Sequence, residues 1–383
     1  MSLSLGQTAP YADGNAVAAD RSVLHPGIVH FGTGQRFRGA VAPLIDRIRQ
    51  YGHWDYGIIT VSQSDGPVFD ALKADGGHYT IIERGGDADY PAPVASIVGV
   101  LSARQDSAAV IMALADPRIA LVTLTLGPKE LRLNREGRLD RSDPDIAREM
   151  AGCADPLSPI GQLVAGLAAR RAKGLGGVRV FNCDNAPGSN LAMASLIDEM
   201  AVERDVQLAD WIAMNVRFPA VFGDRLVVEA GDVPLERPTD ICTERFIHWV
   251  IEDDLDSERE ALGDVGVSLV RDVRPFLNAR ERLLEGSLCL LAYAGLLAGH
   301  DRLDTAMADP VLRALLDRYL TESAAVLPPV KGFDADRYLA DLKDRYANPA
   351  LTLPLSRIAA NGSRKMPVRV IPTIIDAMRD GAD

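Results

Sequence analysis

The stretch GIVHFGTGQRFRGAVAPLIDRIRQ, residues 27–50, carries two periodicities separated by a glycine break. GIVHF is an apolar run of strand length. GTG interrupts it, and Phe37, Val41, Leu44, Ile45 and Ile48 then recur at helical spacing. Strand, glycine turn and helix together open a βαβ unit. Further β-rich runs follow: YGIITVSQ (56–63), YTIIE (79–83), ALVTLTL (120–126) and VRVFNC (178–183). Helical patterns lie between several of them, and this alternation is the mark of a parallel sheet covered on both faces. The first half is therefore expected to be an α/β domain. After about residue 235 the texture changes to TERFIHWVIEDDL (243–255), a Leu-rich run from Arg280, PVLRALLDRYL (310–320) and DADRYLADLKDRYA (334–347). These read as helices, so the second half is expected to be mostly helical. The division is a flexible polar arm at 1–24, an α/β domain at 25–230 and a mostly helical domain at 231–383.

A chain of 383 residues with 47% hydrophobic composition is long enough for two domains with separate cores. Its 41 basic against 53 acidic residues give a net charge of −12, and no basic cluster interrupts the acidity. A nucleic-acid partner is not expected. Cys153, Cys183, Cys242 and Cys289 have no CxxC or zinc spacing, so they read as reduced thiols and no metal site is expected. The first two dozen residues lack a secretory pattern, and the longest apolar run is too short and interrupted to span a bilayer. The expectation is a cytoplasmic protein with a small-molecule substrate.

In the glycine turn, Gly32, Thr33 and Gly34 stand between strand and helix, where a dinucleotide pyrophosphate can rest on backbone N–H groups and the helix N-terminus. Phe37 occupies the third glycine position of GxGxxG, and a lone GxG is also an ordinary turn. The second strand ends in Ser62, Gln63 and Ser64, with Asp65 slightly beyond, instead of a carboxylate that would grip a ribose 2′-hydroxyl. The cofactor is thus NAD or NADP. Arg36 is either a contact for a 2′-phosphate or a solvated residue at the helix start.

Six segments, in order, resemble the polyol-specific long-chain dehydrogenase family, which includes mannitol 2-dehydrogenase and the fructuronate and tagaturonate reductases. They are GIVHFGTG, FNCDNAPGSN (181–190), FPAVFGDR (218–225), RFIHWVIEDD (245–254), RPFLNARERLLEGS (274–287), and RYANPAL with RIAANGSRKMPVRVIPTI (345–374). The resemblance implies a Rossmann-like N-terminal domain, a helical C-terminal domain of the 6-phosphogluconate dehydrogenase-like type, and a cleft between them where nicotinamide meets substrate. Members carry Lys-x4-Asn-x2-His on a helix at that cleft, the lysine as general base. Aligned without gaps, this chain has Arg280, Glu285 and Leu288 there. Arginine stays protonated, leucine cannot hydrogen-bond, and glutamate replaces an amide with a charge. Losing a positioned base costs roughly 10²- to 10⁴-fold in rate.

The family framework otherwise persists in Asn185 of CDN, expected near nicotinamide and substrate, and in Asp224 and Arg225 of GDR, expected to build the cleft. Each has a structural alternative, an Asx turn for CDN and a buried ion pair for GDR. Glu285, Lys129 and Lys365 are candidates for a relocated acid or base. Arg280 could clamp a carboxylate or phosphate, which suggests an acidic substrate; alternatively Glu285 lies at a helix surface and Leu288 fills core. Three readings of function stand side by side: an altered NAD(P)-dependent oxidoreductase acting on a polyol, keto-sugar or sugar acid; a non-catalytic relative that binds a ligand or partner; and a redox-neutral epimerase or lyase that uses nicotinamide transiently.

Overall fold

The computed structural model describes Tyr11 and residues 21–52, 54–186, 188–228, 234–255 and 258–381. Its strands are β1 (His25–Phe31), β2 (Tyr56–Ser62), β3 (Tyr79–Arg84), β4 (Asp89–Val94), β5 (Ile97–Ser102), β6 (Leu121–Leu124), β7 (Arg179–Asn182), β8 (Val221–Asp224), β9 (Val227–Val228), β10 (Ile241–Glu244), β11 (His248–Glu252) and β12 (Ser268–Val270). A central sheet has the order β5-β2-β1-β6-β7, with every neighbouring pair parallel. Ile28 of β1 enters one apolar core with Phe37, Leu44 and Ile48. Val29 and Phe31 enter a second core on the other face, with Val122 and Leu163. Both faces are covered, which is why β1 reads as an unbroken apolar run instead of alternating with polar residues.

Two smaller sheets, β4-β3-β10-β9 and β12-β11-β8, stand beside it. They overturn the helical reading of 243–255. Thr243 and Glu244 end β10, which runs parallel to β3, and His248–Glu252 is β11, antiparallel to β8. Along β11, Trp249 and Ile251 face one core while Val250 faces another. A strand buried on both sides lacks the apolar–polar alternation of a half-buried one, so periodicity alone does not separate it from a helix. The three strands after residue 231 join sheets that include earlier strands, and from Arg274 onward the regular elements among the described residues are helices. None of the described helices is long and apolar enough to cross a membrane.

Of the N-terminal arm, Tyr11 and residues 21–24 are described, and the rest of that expectation lies outside the described residues. Tyr11 is buried; its N–H donates to Glu83 Oε1 at 2.9 Å, and its single hydroxyl proton is shared between Asp46 and the Pro93 carbonyl, 2.6 Å away.

Among the described residues, two helices contain π-helical turns. After the glycine turn, Phe37–Val41 is π-helical and leads into the helix Ala42–Gln50. The long helix of the C-terminal part runs as Arg274–Ala279, a π turn at Arg280–Glu285, and Gly286–Leu297. Such turns recur at functional sites because they re-aim side chains without ending the helix.

Candidate functional site

Gly32 follows β1 with φ 121°, and a Cβ there would lie 2.9 Å from Thr125 Oγ1, so the tight turn requires glycine on both conformational and steric grounds. The Gly32 carbonyl accepts from Thr60 Oγ1 at 2.8 Å, and Thr33 Oγ1 lies 3.1 Å from Ser62 Oγ, which fixes the loop to the carboxyl end of β2. Gly34 is exposed, and a Cβ built on it meets nothing within 4 Å. The turn therefore leaves open space beside backbone N–H groups at the start of a helix, the shape a pyrophosphate needs. Phe37 does not pack like the missing third glycine; its ring stacks on His30 at 3.8 Å and is fully buried. The close approach falls two residues later, at Gly39, where a Cβ would stand 3.0 Å from Val227 and 3.1 Å from Thr243.

Arg36 follows the turn, at the start of the first helix. Its charge interacts with Arg280, Asp184, Glu285 and Cys183. Cys183 and Asp184 follow β7, and β2 and β7 lie on opposite sides of β1 in the sheet order, so these partners stand on the other side of β1 from Ser62.

Across from it, Arg280 Nη2 is 2.7 Å from Glu285 Oε1, and Glu285 Oε2 is 2.8 Å from Arg369 Nη2. Glu281 closes the ring, 3.6 Å from Arg280 and 3.5 Å from Arg369. Gly286 lets the helix Gly362–Arg369 come close, because a Cβ there would run into the Tyr319 hydroxyl at 2.1 Å and the Arg369 carbonyl at 3.1 Å. Leu288 is buried in the apolar core with Leu284 and Leu291. Burial alone would push Glu285 up, but Arg280, Arg369 and Arg36 outweigh it and hold the carboxyl below the usual glutamate range. For Glu281, burial and the neighbouring Glu285 prevail over the arginines and raise it. Burial would lower Arg280, yet Glu285 and Asp224 raise it above its ordinary value. The Arg280 Nε makes no hydrogen bond, and Asp224 lies 3.8 Å from it.

Asp224 and Arg225 point to different partners. Asp224 accepts from Tyr338 Oη at 2.7 Å and from Arg345 at 2.9 and 3.1 Å. Arg345 also donates to Glu244 at 2.7 and 2.8 Å. Burial would raise Asp224, but Arg345 and Arg280 bring it down to about 2. Arg225 is ion-paired with Glu83 and donates to the carbonyls of Gly39, at 3.0 Å, and Glu244. The buried-ion-pair alternative for GDR therefore holds for each residue separately, with Arg225 tying the first helix to β3 and β10.

Asn185 is buried, and its side chain is committed to one backbone site, donating to the Gly223 carbonyl at 2.6 Å and accepting from the Gly223 N–H at 3.1 Å. Lys129 is exposed on the loop after β6, and Lys365 Nζ donates to the Ile358 carbonyl at 2.8 Å. The structure thus brings Arg36, Arg280 and Glu285 together and adds Glu281, Arg345 and Arg369, to which sequence reasoning gave no role. The one signal for them was a charged residue inside an otherwise apolar motif, as in RYANPAL and MPVRVIPTI.

Residues 26–263 match the mannitol dehydrogenase Rossmann domain, and residues 272–383 match the mannitol dehydrogenase C-terminal domain. An uncharacterized oxidoreductase of Escherichia coli, YeiQ, is 34% identical over 93% of this chain and 75% of its own length. The mannitol 2-dehydrogenase of Cereibacter sphaeroides is 31% identical over 94% of this chain and 78% of its own length. Among solved structures, the Pseudomonas fluorescens mannitol 2-dehydrogenase ternary complex with NAD and D-mannitol superposes with a TM-score of 0.83 at 28% identity, covering 96% of this chain and 77% of that one. With both domains matched in order, the chain belongs to the mannitol dehydrogenase family.

Proposed function

We propose that this chain is an NAD(P)-dependent oxidoreductase that interconverts an alcohol and a carbonyl group in a polyol, keto-sugar or sugar acid, with its proton donor outside the family's catalytic helix positions. The observation that carries the reading is the open glycine turn at the carboxyl edge of the parallel sheet, with the charge of Arg36 beside it acting on Arg280 and Glu285. Ligands of open α/β sheets bind at that edge. Gly32, Thr33 and Gly34 would hold the pyrophosphate, and Ser62 with Gln63 would meet the adenosine ribose. A bound nicotinamide supplies hydride transfer there. The similarity to a mannitol 2-dehydrogenase whose structure holds NAD and D-mannitol supports the same class of cofactor and substrate.

Glu285 is a poor proton carrier in this arrangement, because both its oxygens face arginines and its charged form is favoured. Arg280 and Arg36 orient the substrate instead, and a carboxylate on a sugar acid would complement them.

Titration with NADH and with NADPH, followed by nicotinamide fluorescence, tests the reading. Micromolar binding of either, with turnover of a polyol, keto-sugar or sugar acid, is the expected result. Absence of binding at millimolar concentration overturns it. The non-catalytic reading would then lead, favoured by the closed ion pairs and core leucine at the three catalytic positions.

A further inference from the structure

Four carboxylates surround Arg36 and Arg280, and three of them are committed. Glu285 holds Arg280 and Arg369, Glu281 lies within 3.6 Å of both, and Asp224 is bound by Arg345 and Tyr338. The fourth is Asp184, directly beyond the carboxyl end of β7. Among the described residues its carboxylate has no hydrogen bond or ion pair, and the residue is half-buried.

Its backbone, by contrast, is fixed. The Asp184 N–H donates to Asn182 Oδ1 at 3.3 Å, and its carbonyl accepts from Ser189 Oγ at 2.9 Å. The next residue, Asn185, is pinned to Gly223 by two hydrogen bonds. A free carboxyl on a rigid strand end, facing one arginine from the glycine turn and one from the catalytic helix, has the placement a general acid requires.

We propose that Asp184 gives and takes the proton of the reacting oxygen, an assignment that rests on the oxidoreductase reading above. In the reducing direction the carbonyl carbon accepts a hydride from the dihydronicotinamide while the carbonyl oxygen takes the proton of the Asp184 carboxyl. The products are an alcohol, an oxidised nicotinamide and the Asp184 carboxylate, which solvent reprotonates. In the oxidising direction the carboxylate removes the hydroxyl proton as hydride leaves the carbon.

The charged and titratable groups facing Asp184 are Arg36, Arg280 and the adjoining Cys183 thiol, which burial pushes up to about 12 and keeps neutral. Burial raises the Asp184 carboxyl above the usual aspartate range, and the two arginines only partly oppose it. A raised carboxyl is present as acid nearer to neutral pH than an exposed one and donates more readily there. Glu281 is also raised, but its two arginine contacts leave its oxygens committed.

The test uses the full chain with Asp184→Asn and Asp184→Glu. Carbon-13 NMR of aspartate-labelled protein, with Asp184→Asn identifying the signal, reports the ionisation of the group without turnover. The expected result is titration above the ordinary aspartate range, NADH affinity within about threefold of wild type in Asp184→Asn, a fall in kcat of roughly 10²- to 10⁴-fold with loss of one limb of the pH profile, and partial activity in Asp184→Glu. An Asp184 signal that titrates at or below the ordinary range overturns the assignment. So does a wild-type kcat and pH profile in Asp184→Asn, and either result leaves the oxidoreductase reading standing. No turnover by the wild-type chain of any polyol, keto-sugar or sugar acid overturns both.

Discussion

Arg280 and Glu285 are five residues apart and their side chains meet at 2.7 Å. In a regular α-helix such positions point about 140° apart around the axis, since each residue turns about 100°. The π turn at Arg280–Glu285 closes with hydrogen bonds to the fifth residue and brings the two onto one face. The same turn lets Glu285 reach Arg369 from the helix Gly362–Arg369.

Removing one member of a buried ion pair strands the other, at a cost of about 3–5 kcal/mol. Arg280→Met is expected to destabilise the fold by up to that order, because Glu285 loses its 2.7 Å partner and Asp224 loses a second positive neighbour. Replacing Arg280 and Glu285 together by Met and Leu should cost less than Arg280→Met alone. Urea unfolding midpoints of the two variants, compared with wild type, check this order.

Acid should act through Asp224. Its folded value, about 2, lies below the ordinary 3.8, so the stabilisation is fully present above the ordinary value and is lost as pH falls through the folded one. The shift corresponds to about 2 kcal/mol. Between pH 4 and pH 2 the wild-type chain should lose stability more steeply than Asp224→Asn, which starts less stable at neutral pH. Denaturant midpoints taken across that window give the two slopes.

The two glycines of the turn should separate stability from binding. At Gly32, alanine must adopt φ 121° and press on Thr125, a strain of about 1–3 kcal/mol visible as a lower Tm. At Gly34 a side chain enters open space, so Gly34→Val should leave Tm within a degree or two. Its effect should fall on NADH affinity, weakened about tenfold or more by filling the pyrophosphate cradle, as a fluorescence titration would record.

Gln63 stands at the end of β2, where the adenosine ribose is expected, and no carboxylate there repels a 2′-phosphate. Gln63→Asp should weaken NADPH binding at least tenfold relative to NADH through like-charge repulsion and competition for the 2′-hydroxyl. Paired titrations of the variant and wild type with the two nucleotides decide it.

Four strands of the parallel sheet were legible because each is a short apolar run set off by turn residues, as in residues 27–31 and 56–62; β5 went unread, and the run 79–83 joins a different sheet as β3. β10 and β11 were not. Trp249 and Val250 are buried in different cores, so the run 247–251 has no polar face to reveal its period. In the site, the positions of Arg280 and Glu285 could be read from the family pattern, but their pairing could not, because helical spacing places them on different faces and only the π turn reunites them. Arg369 and Arg345 lie far along the chain from the carboxylates they neutralise, and no local spacing encodes such a contact. Asp184 stood in view inside CDN; what singles it out is the commitment of every neighbouring carboxylate, which only the folded arrangement discloses.

The double grip of Arg345 on Asp224 and Glu244 bears on how the protein is made. The guanidinium lies 121 and 101 residues downstream of the two acids. At about 5–20 residues per second, translation reaches it on the order of ten seconds after Asp224 leaves the ribosome's catalytic centre. During that interval the nascent sheet cannot bury Asp224 and Glu244 with their final counter-charge. A chain interrupted before Arg345 should therefore remain open and prone to aggregation, a dependence of the N-terminal half on sequence not yet synthesised.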